Sequence, residues 1–334
     1  DIMIFNEDDD LYKCKEVYSI NCERLSEKEL ERVEVIKKLY DKLAFPADKT
    51  VQDMIRLKKI KGLYVDLDDF KNYKRIYPKR IEVIRGKSTR VNNSYIPITD
   101  NERKHMIETR TVDMAIDLFY VAGYVFIIGV NLAFDLTMIR VLRNRGKEEI
   151  LKALNEMIDT YHMNDWKIRN IYSDEEKGVI ACEEELLCRG AKVKYVSPGS
   201  HVAVAERKIR TIKDRARSLL QTLKYRVPSS LLPHLILYTV TRINQGPTVH
   251  TPNSSPREVF NGDILDFERD LSLSFGQEII NPVQSNDLSA RSEPALYVGT
   301  SNFGTNSHYF YTKNGRIVLR QDYVITNNVD NSEF

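Results

Sequence analysis

A chain of 334 residues, 42% hydrophobic and 29% charged with a formal net charge of only +2, has material for two or three cored domains. That balance excludes a disordered or wholly basic protein, so any nucleic-acid surface must come from local clustering of charge. Four scattered cysteines, Cys14, Cys22, Cys182 and Cys188, with no CxxC pair, exclude a disulfide scaffold and a thiolate zinc site and point to a reducing, intracellular compartment.

Residues 1–20, with the acidic run Glu7–Asp10, read as a flexible lead, and a start at Asp1 without Met reads as a piece of a longer translation product. Ser26-Glu27-Lys28-Glu29 is a capping box opening a helix with Leu30, Val33, Ile36 and Tyr40 on one stripe, stopping before Pro46. A second short helix around Val51–Ile60 ends at Gly62, giving a helical module over 21–62. A basic linker follows over 63–110. Within it Lys71–Arg90 holds eight basic residues against Glu82 alone, with Tyr73 and Tyr77 interleaved. A solvated face and a nucleic-acid-tracking segment are equally good readings of that run.

From Thr111 the pattern turns to strands: Val112–Val121, Tyr124–Leu132 and Leu136–Leu142 stand at hairpin spacing. The apolar stretch Leu118–Phe134, 17 residues flanked by Asp117 and Asp135, falls short of the roughly 20 a membrane helix needs and reads as strand–turn–strand. Lys147–Tyr161 is an amphipathic helix, Trp166–Tyr172 a strand ending at Ser173-Asp174, Glu183–Leu187 a helix and Ala191–Val196 a strand. The loop Ser197–Ser200 then precedes a basic amphipathic helix whose stripe runs through Ile209, Ile212, Ala216 and Leu219. Glu206, Arg210, Lys213 and Arg217 share one side of it. A last helix covers Ser230–Asn244. This order over 111–245 predicts an α/β fold with a mixed sheet of ribonuclease H-like type. Residues 246–274, rich in Pro, Asn and Ser, read as a linker. Short strands over 275–328, with an Asn314-Gly315 turn, predict a small, partly open β-barrel.

In such a sheet the first and fourth strands are neighbours, so Asp117 on one and Asp174 past the end of the other converge, and the basic helix brings Glu206 over them. Three carboxylates around a cleft repel one another, and hard oxygen-seeking cations relieve the repulsion, which points to Mg²⁺ or Mn²⁺, two ions, rather than zinc.

The wording of several segments resembles the integrase of copia-type long-terminal-repeat retrotransposons: HVAVAERKIRTIKDRARSLL at His201–Leu220, LPHLILYTVTRIN at Leu232–Asn244, SPREVFNG at Ser255–Gly262, RDLSLSFGQEI at Arg269–Ile279, IDLFYVAGYVFIIGV at Ile116–Val130 and IYSDEEKG at Ile171–Gly178. Further forward, YDKLAFP at Tyr40–Pro46 and IRGKSTR at Ile84–Arg90 sit where that family has its pre-integrase segment. The resemblance implies a DDE-type polynucleotidyl transferase released from a polyprotein, which processes DNA 3′ ends and joins them to target DNA. It implies DNA partners, a homo-oligomer, no membrane, and a nuclear or cytoplasmic-particle location. Asp117, Asp174 and Glu206 match its catalytic and metal-binding triad, Asp113 being the runner-up for the first position. Lys208, Arg210, Lys213, Arg217, Lys87 and Arg90 are the expected nucleic-acid contacts. The chain departs from the family in two places. Residues 20–90 hold no histidine and only Cys22, which argues against the amino-terminal zinc site, and Glu175 follows Asp174 where Gly is usual. A catalytically decayed or domesticated nucleic-acid-binding remnant of the same fold is the alternative.

Overall fold

The computed structural model describes residues 25–77, 80, 83, 98–195, 202–282, 291–301 and 307–325. The acidic lead, Lys87, Arg90, His201 and the loop Ser197–Ser200 lie outside them.

The chain enters through α1 (Glu27–Lys42), α2 (Asp48–Arg56), α3 (Leu67–Ile76) and α4 (Asp100–Glu108). The predicted capping box forms: the Ser26 N–H and hydroxyl donate to Glu29 Oε2 at 2.9 and 2.7 Å. Equivalent boxes open α3 at Asp66 and α4 at Thr99. Part of the described basic run is packed into the fold, while Lys71 and Arg75 are exposed. Tyr73 of α3 is buried and stacks on Tyr40 of α1 with ring centroids 5.1 Å apart, while Arg80 lies over the Phe45 ring and pairs with Asp41 at 2.6 Å.

Next come β1 (Thr111–Val121), β2 (Tyr124–Asn131), β3 (Thr137–Leu142), α5 (Lys147–His162), β4 (Lys167–Ser173), the short α6 (Lys177–Ile180) and α7 (Glu183–Cys188), and β5 (Lys192–Tyr195). They form one five-stranded sheet in the order β3-β2-β1-β4-β5, with β1–β2–β3 antiparallel and β4 and β5 parallel to β1. This is the mixed sheet expected of a ribonuclease H-like core. The β1–β2 hairpin closes through Ala122 and Gly123, both at positive φ, as a two-residue turn that follows the strand twist requires. Among the described residues no helix is long and apolar enough to cross a membrane, and the apolar stretch at 118–134 is this hairpin and the turn that follows it.

Period-two alternation divides β1 between the two faces of the sheet. Val112, Met114 and Ile116 point to α5 and the core around Trp166, whereas Ala115 and Phe119 point to α8 (Val202–Leu220). The predicted stripe of α8, Ile209, Ile212, Ala216 and Leu219, is buried on that second face. Behind it lies α9 (Leu232–Asn244), entered through a 3₁₀ turn at Ser229–Leu231. The stretch expected as a linker contains α10 (Pro256–Asn261) and α11 (Phe267–Asp270). It is tied down, since Phe260 packs against Trp166 and Tyr161 and its carbonyl accepts from Trp166 Nε1–H at 2.9 Å.

The C-terminal strands β6 (Glu278–Pro282), β7 (Ser292–Thr300), β8 (His308–Thr312), β9 (Ile317–Arg320) and β10 (Val324–Ile325) form a second, antiparallel sheet in the order β10-β6-β7-β8-β9. The last strand returns beside the first, and no β9–β10 pairing closes a barrel among the described residues. One apolar core runs through α1–α3, α8, α9 and this second sheet: Tyr238 of α9 touches the rings of Phe275 and Tyr297, and its hydroxyl donates to the Lys42 carbonyl at 2.9 Å.

Candidate active site

The register between β1 and β4 places the two aspartates. Ala115 lies opposite Tyr172, and each stands two residues before its aspartate, so Asp117 and Asp174 leave adjacent parallel strands at the same level and on the same face. A bulge between Val112 and Asp113 sets this alignment by inserting Arg169 as an extra residue on β4. Without it Asp117 would stand level with Ser173, and Asp174 would turn to the other face.

Arg169 also decides between the two aspartates of β1. Its guanidinium grips the buried Asp113 through Nε and Nη2, both at 3.1 Å, and Asn170 Nδ2 and the Tyr172 hydroxyl donate to the same carboxylate at 2.8 and 3.4 Å. Asp113 is saturated with donors and serves the sheet. Asp117, half-buried, accepts one bond, from the Leu118 N–H to Oδ1 at 2.7 Å.

Burial pushes the Asp117 carboxyl up from 3.8 to about 6, and the charges of Asp174, Glu206 and Glu176 push in the same direction against the Leu118 hydrogen bond. Asp174 and Glu206 therefore sit within electrostatic range of Asp117, which stands on the sheet face that α8 covers. Asp174 and Glu206 are exposed. The expected closure into a metal cage is not met: among the described residues no group of three His, Cys, Asp or Glu side chains is gathered to hold a metal ion. Like charges repel, and Asp117 Oδ1 is turned onto its own strand by the Leu118 amide. The donor chemistry nevertheless fits a hard divalent cation, with carboxylate oxygens alone and one of them held above its ordinary value by burial and then by the neighbouring negative charges.

Sequence reasoning singled out Glu175 as the extra acid, but its charge acts on Tyr195. Glu176 is the acid that acts on Asp117. It caps α6 and is held by Arg145, whose guanidinium lies 5.8 Å from the centre of the Tyr120 ring. The Asp-Glu-Glu run was the available signal, and which of the two glutamates turns inward depends on the tight turn that the Glu176 N–H makes with the Asp174 carbonyl at 2.7 Å.

The predicted cations divide between two flanks of α8. Arg210 is exposed on the Glu206 side. Lys213, next along that side, lies over the Phe119 ring at 5.5 Å, and Arg217 pairs with Asp214 at 2.6 Å. Lys208 does not join them. It lies on the opposite flank in a recess with Arg215 and Arg242. A step of two residues turns a helix by about 200°, which is why it parts from Glu206.

No family model matches the chain, and no curated protein does. Among solved structures it is similar to the catalytic core domain of BIV integrase, at 15% identity and a TM-score of 0.35, over 46% of this chain and 93% of that domain.

Proposed function

We propose that the chain is an integrase-like polynucleotidyl transferase of the copia type that acts on DNA, with Asp117, Asp174 and Glu206 as its carboxylate triad. The observation that carries this reading is the level register of Asp117 and Asp174 on adjacent parallel strands, with Glu206 near enough to raise the Asp117 pKa. The triad would hold two divalent ions, Mg²⁺ or Mn²⁺, which when bound supply Lewis-acid stabilisation of the attacking and leaving oxygens of an in-line displacement. The chain's own side chains do the positioning. Asp117 and Asp174 are fixed by the sheet, and Glu206 is carried by a helix whose buried stripe anchors it to the same face. Arg210 and Lys213, four and seven residues on, present guanidinium and ammonium groups to the phosphates flanking the scissile bond. Arg145 holds Glu176 beside Asp117, keeping that fourth charge partly neutralised. Water would open a phosphodiester near the DNA 3′ end, and the freed 3′ hydroxyl would displace a 3′ oxygen in target DNA.

A second reading, a nucleic-acid-binding relic of the same fold, draws on one observation: the acids are not gathered into a metal-holding group. A Mg²⁺-dependent strand-transfer assay, with Glu206→Gln beside the unaltered chain, separates the two. Joining by the unaltered chain that drops about 100-fold or more in the variant, with duplex affinity retained, supports the enzyme. Duplex binding without any metal-dependent joining leaves the relic.

A further inference from the structure

A cavity of about 100 Å³ opens between α2, α8 and α9, on the flank of α8 turned away from the carboxylates. Lys208, Thr211 and Arg215 follow steps of three and four along α8 and sit roughly 160° round the helix from Glu206, Arg210, Lys213 and Arg217. All three line the cavity, opposite Thr50 and Arg242.

The recess is rich in positive charge with little to balance it. Among the described residues no carboxylate, hydrogen-bond acceptor or ring is paired with the side chain of Lys208 or Arg215, and the acid that acts on Lys208 is Asp135. Arg242, 2% exposed, donates through Nη1 to Gln245 Oε1 at 3.0 Å and to the Asp270 carbonyl at 2.7 Å, yet its Nε has no acceptor. A buried guanidinium N–H without a partner is uncommon in folded proteins and marks a place where something outside the chain accepts. Burial takes Arg215 down to about 10 and also lowers Lys208. Lys42, in the field of Arg242, falls to about 8, again chiefly through burial. Arg242 is buried while Lys208 and Arg215 are half-buried, and cations clustered partly away from water destabilise a fold unless an anion offsets them.

We propose that this recess binds a phosphate-class anion, the phosphoryl group of a small molecule, held by Lys208, Arg215 and Arg242 with the Thr50 hydroxyl as a further donor. The Arg215 guanidinium, the unpartnered Nε–H of Arg242 and the Lys208 ammonium together suit a tetrahedral dianion better than a single carboxylate. The space holds about one such group. Its walls include Leu43 and Met54, and it lies across α8 from the cations beside the triad, which separates it from a duplex laid on the carboxylate face.

The test is the thermal denaturation of the full chain in inorganic phosphate and in pyrophosphate, against sodium chloride at matched ionic strength. The expected result is a saturable rise in Tm with either phosphate and none with chloride, lost in Arg215→Gln and in Lys208→Met but kept in Arg210→Gln. Arg215→Gln removes an unpartnered cation, so without phosphate it should melt at or above the unaltered chain. Should it fail to fold, Lys208→Met decides by itself. A rise no larger than that with chloride, or one that survives both substitutions, overturns the proposal. Displacement of phosphate by a short DNA duplex also overturns it, in favour of a backbone phosphate from nucleic acid.

Discussion

Asp117→Asn should make the protein more stable and less active at once. In the folded chain the carboxyl titrates at about 6 instead of 3.8, chiefly through burial and then through Asp174, Glu206 and Glu176. The unfolded chain therefore loses this proton first. Between about pH 4 and pH 6 the folded state binds more protons, so stability falls as pH rises through that window, and the whole cost is present above it. At about 1.4 kcal/mol for each tenfold change in proton affinity, the displacement sets an upper bound of about 3 kcal/mol. Asp117 keeps contact with water, and screening brings this to about 1–2 kcal/mol. Asn retains an oxygen to accept the Leu118 N–H and carries no charge, so at pH 7 it should raise Tm by about 2–5 °C for a chain of this size. Calorimetry at pH 4 and pH 7 in the presence of a chelator reads this directly. The gain should be present at pH 7 and absent at pH 4, while metal-dependent joining is lost. A variant that melts lower at pH 7, or that gains equally at both pH values, refutes the electrostatic account of the cluster.

Three further outcomes follow from the packing and the charges. Asp113→Asn should lower Tm by removing charged hydrogen bonds to Arg169, a loss of about 1–3 kcal/mol, with any joining activity intact; loss of joining in a stable variant would make Asp113 part of the site. Phe260→Ala should cost about 3–5 kcal/mol by denaturant titration, because the ring fills the space between Trp166 and Tyr161, and a cost below 1 kcal/mol would show that residues 246–274 are a linker. Duplex affinity should fall steeply with salt, and Arg210→Gln should flatten the log–log slope by about 0.9, more than Arg217→Gln does, since Arg217 already faces Asp214; equal effects would reject this ranking.

Period and punctuation made much of the sheet legible. The alternation in Val112–Val121 and the Ala122-Gly123 turn give β1 and β2 nearly to the residue, and the stripe from Ile209 to Leu219 is the buried face of α8. What escaped was set by contacts distant in sequence. Tyr73 looked like part of a basic, nucleic-acid-tracking run, yet its ring is claimed by Tyr40 from 33 positions earlier. Residues 246–274 have the composition of a linker, and only the meeting of Phe260 with Trp166 makes them part of a core. The position of Asp117 beside Asp174 was expected from the strand order alone. The bulge at Arg169 that levels them leaves no local signal, because an extra residue in a strand is defined by the partner strand. Lys208 parts from the cations that share the Glu206 side of α8 through helical geometry already present in its spacing.

The apolar core shared by α1–α3, α8, α9 and the C-terminal sheet limits how the chain can be cut. A fragment trimmed to residues 111–245 would lose the partners of Tyr238 and much of what shields α8, leaving greasy surface that invites aggregation. The helix that carries Glu206 is braced on its far side by segments from both ends of the sequence. Loosening the helices of α1–α3 or the C-terminal sheet should therefore be felt at the carboxylates.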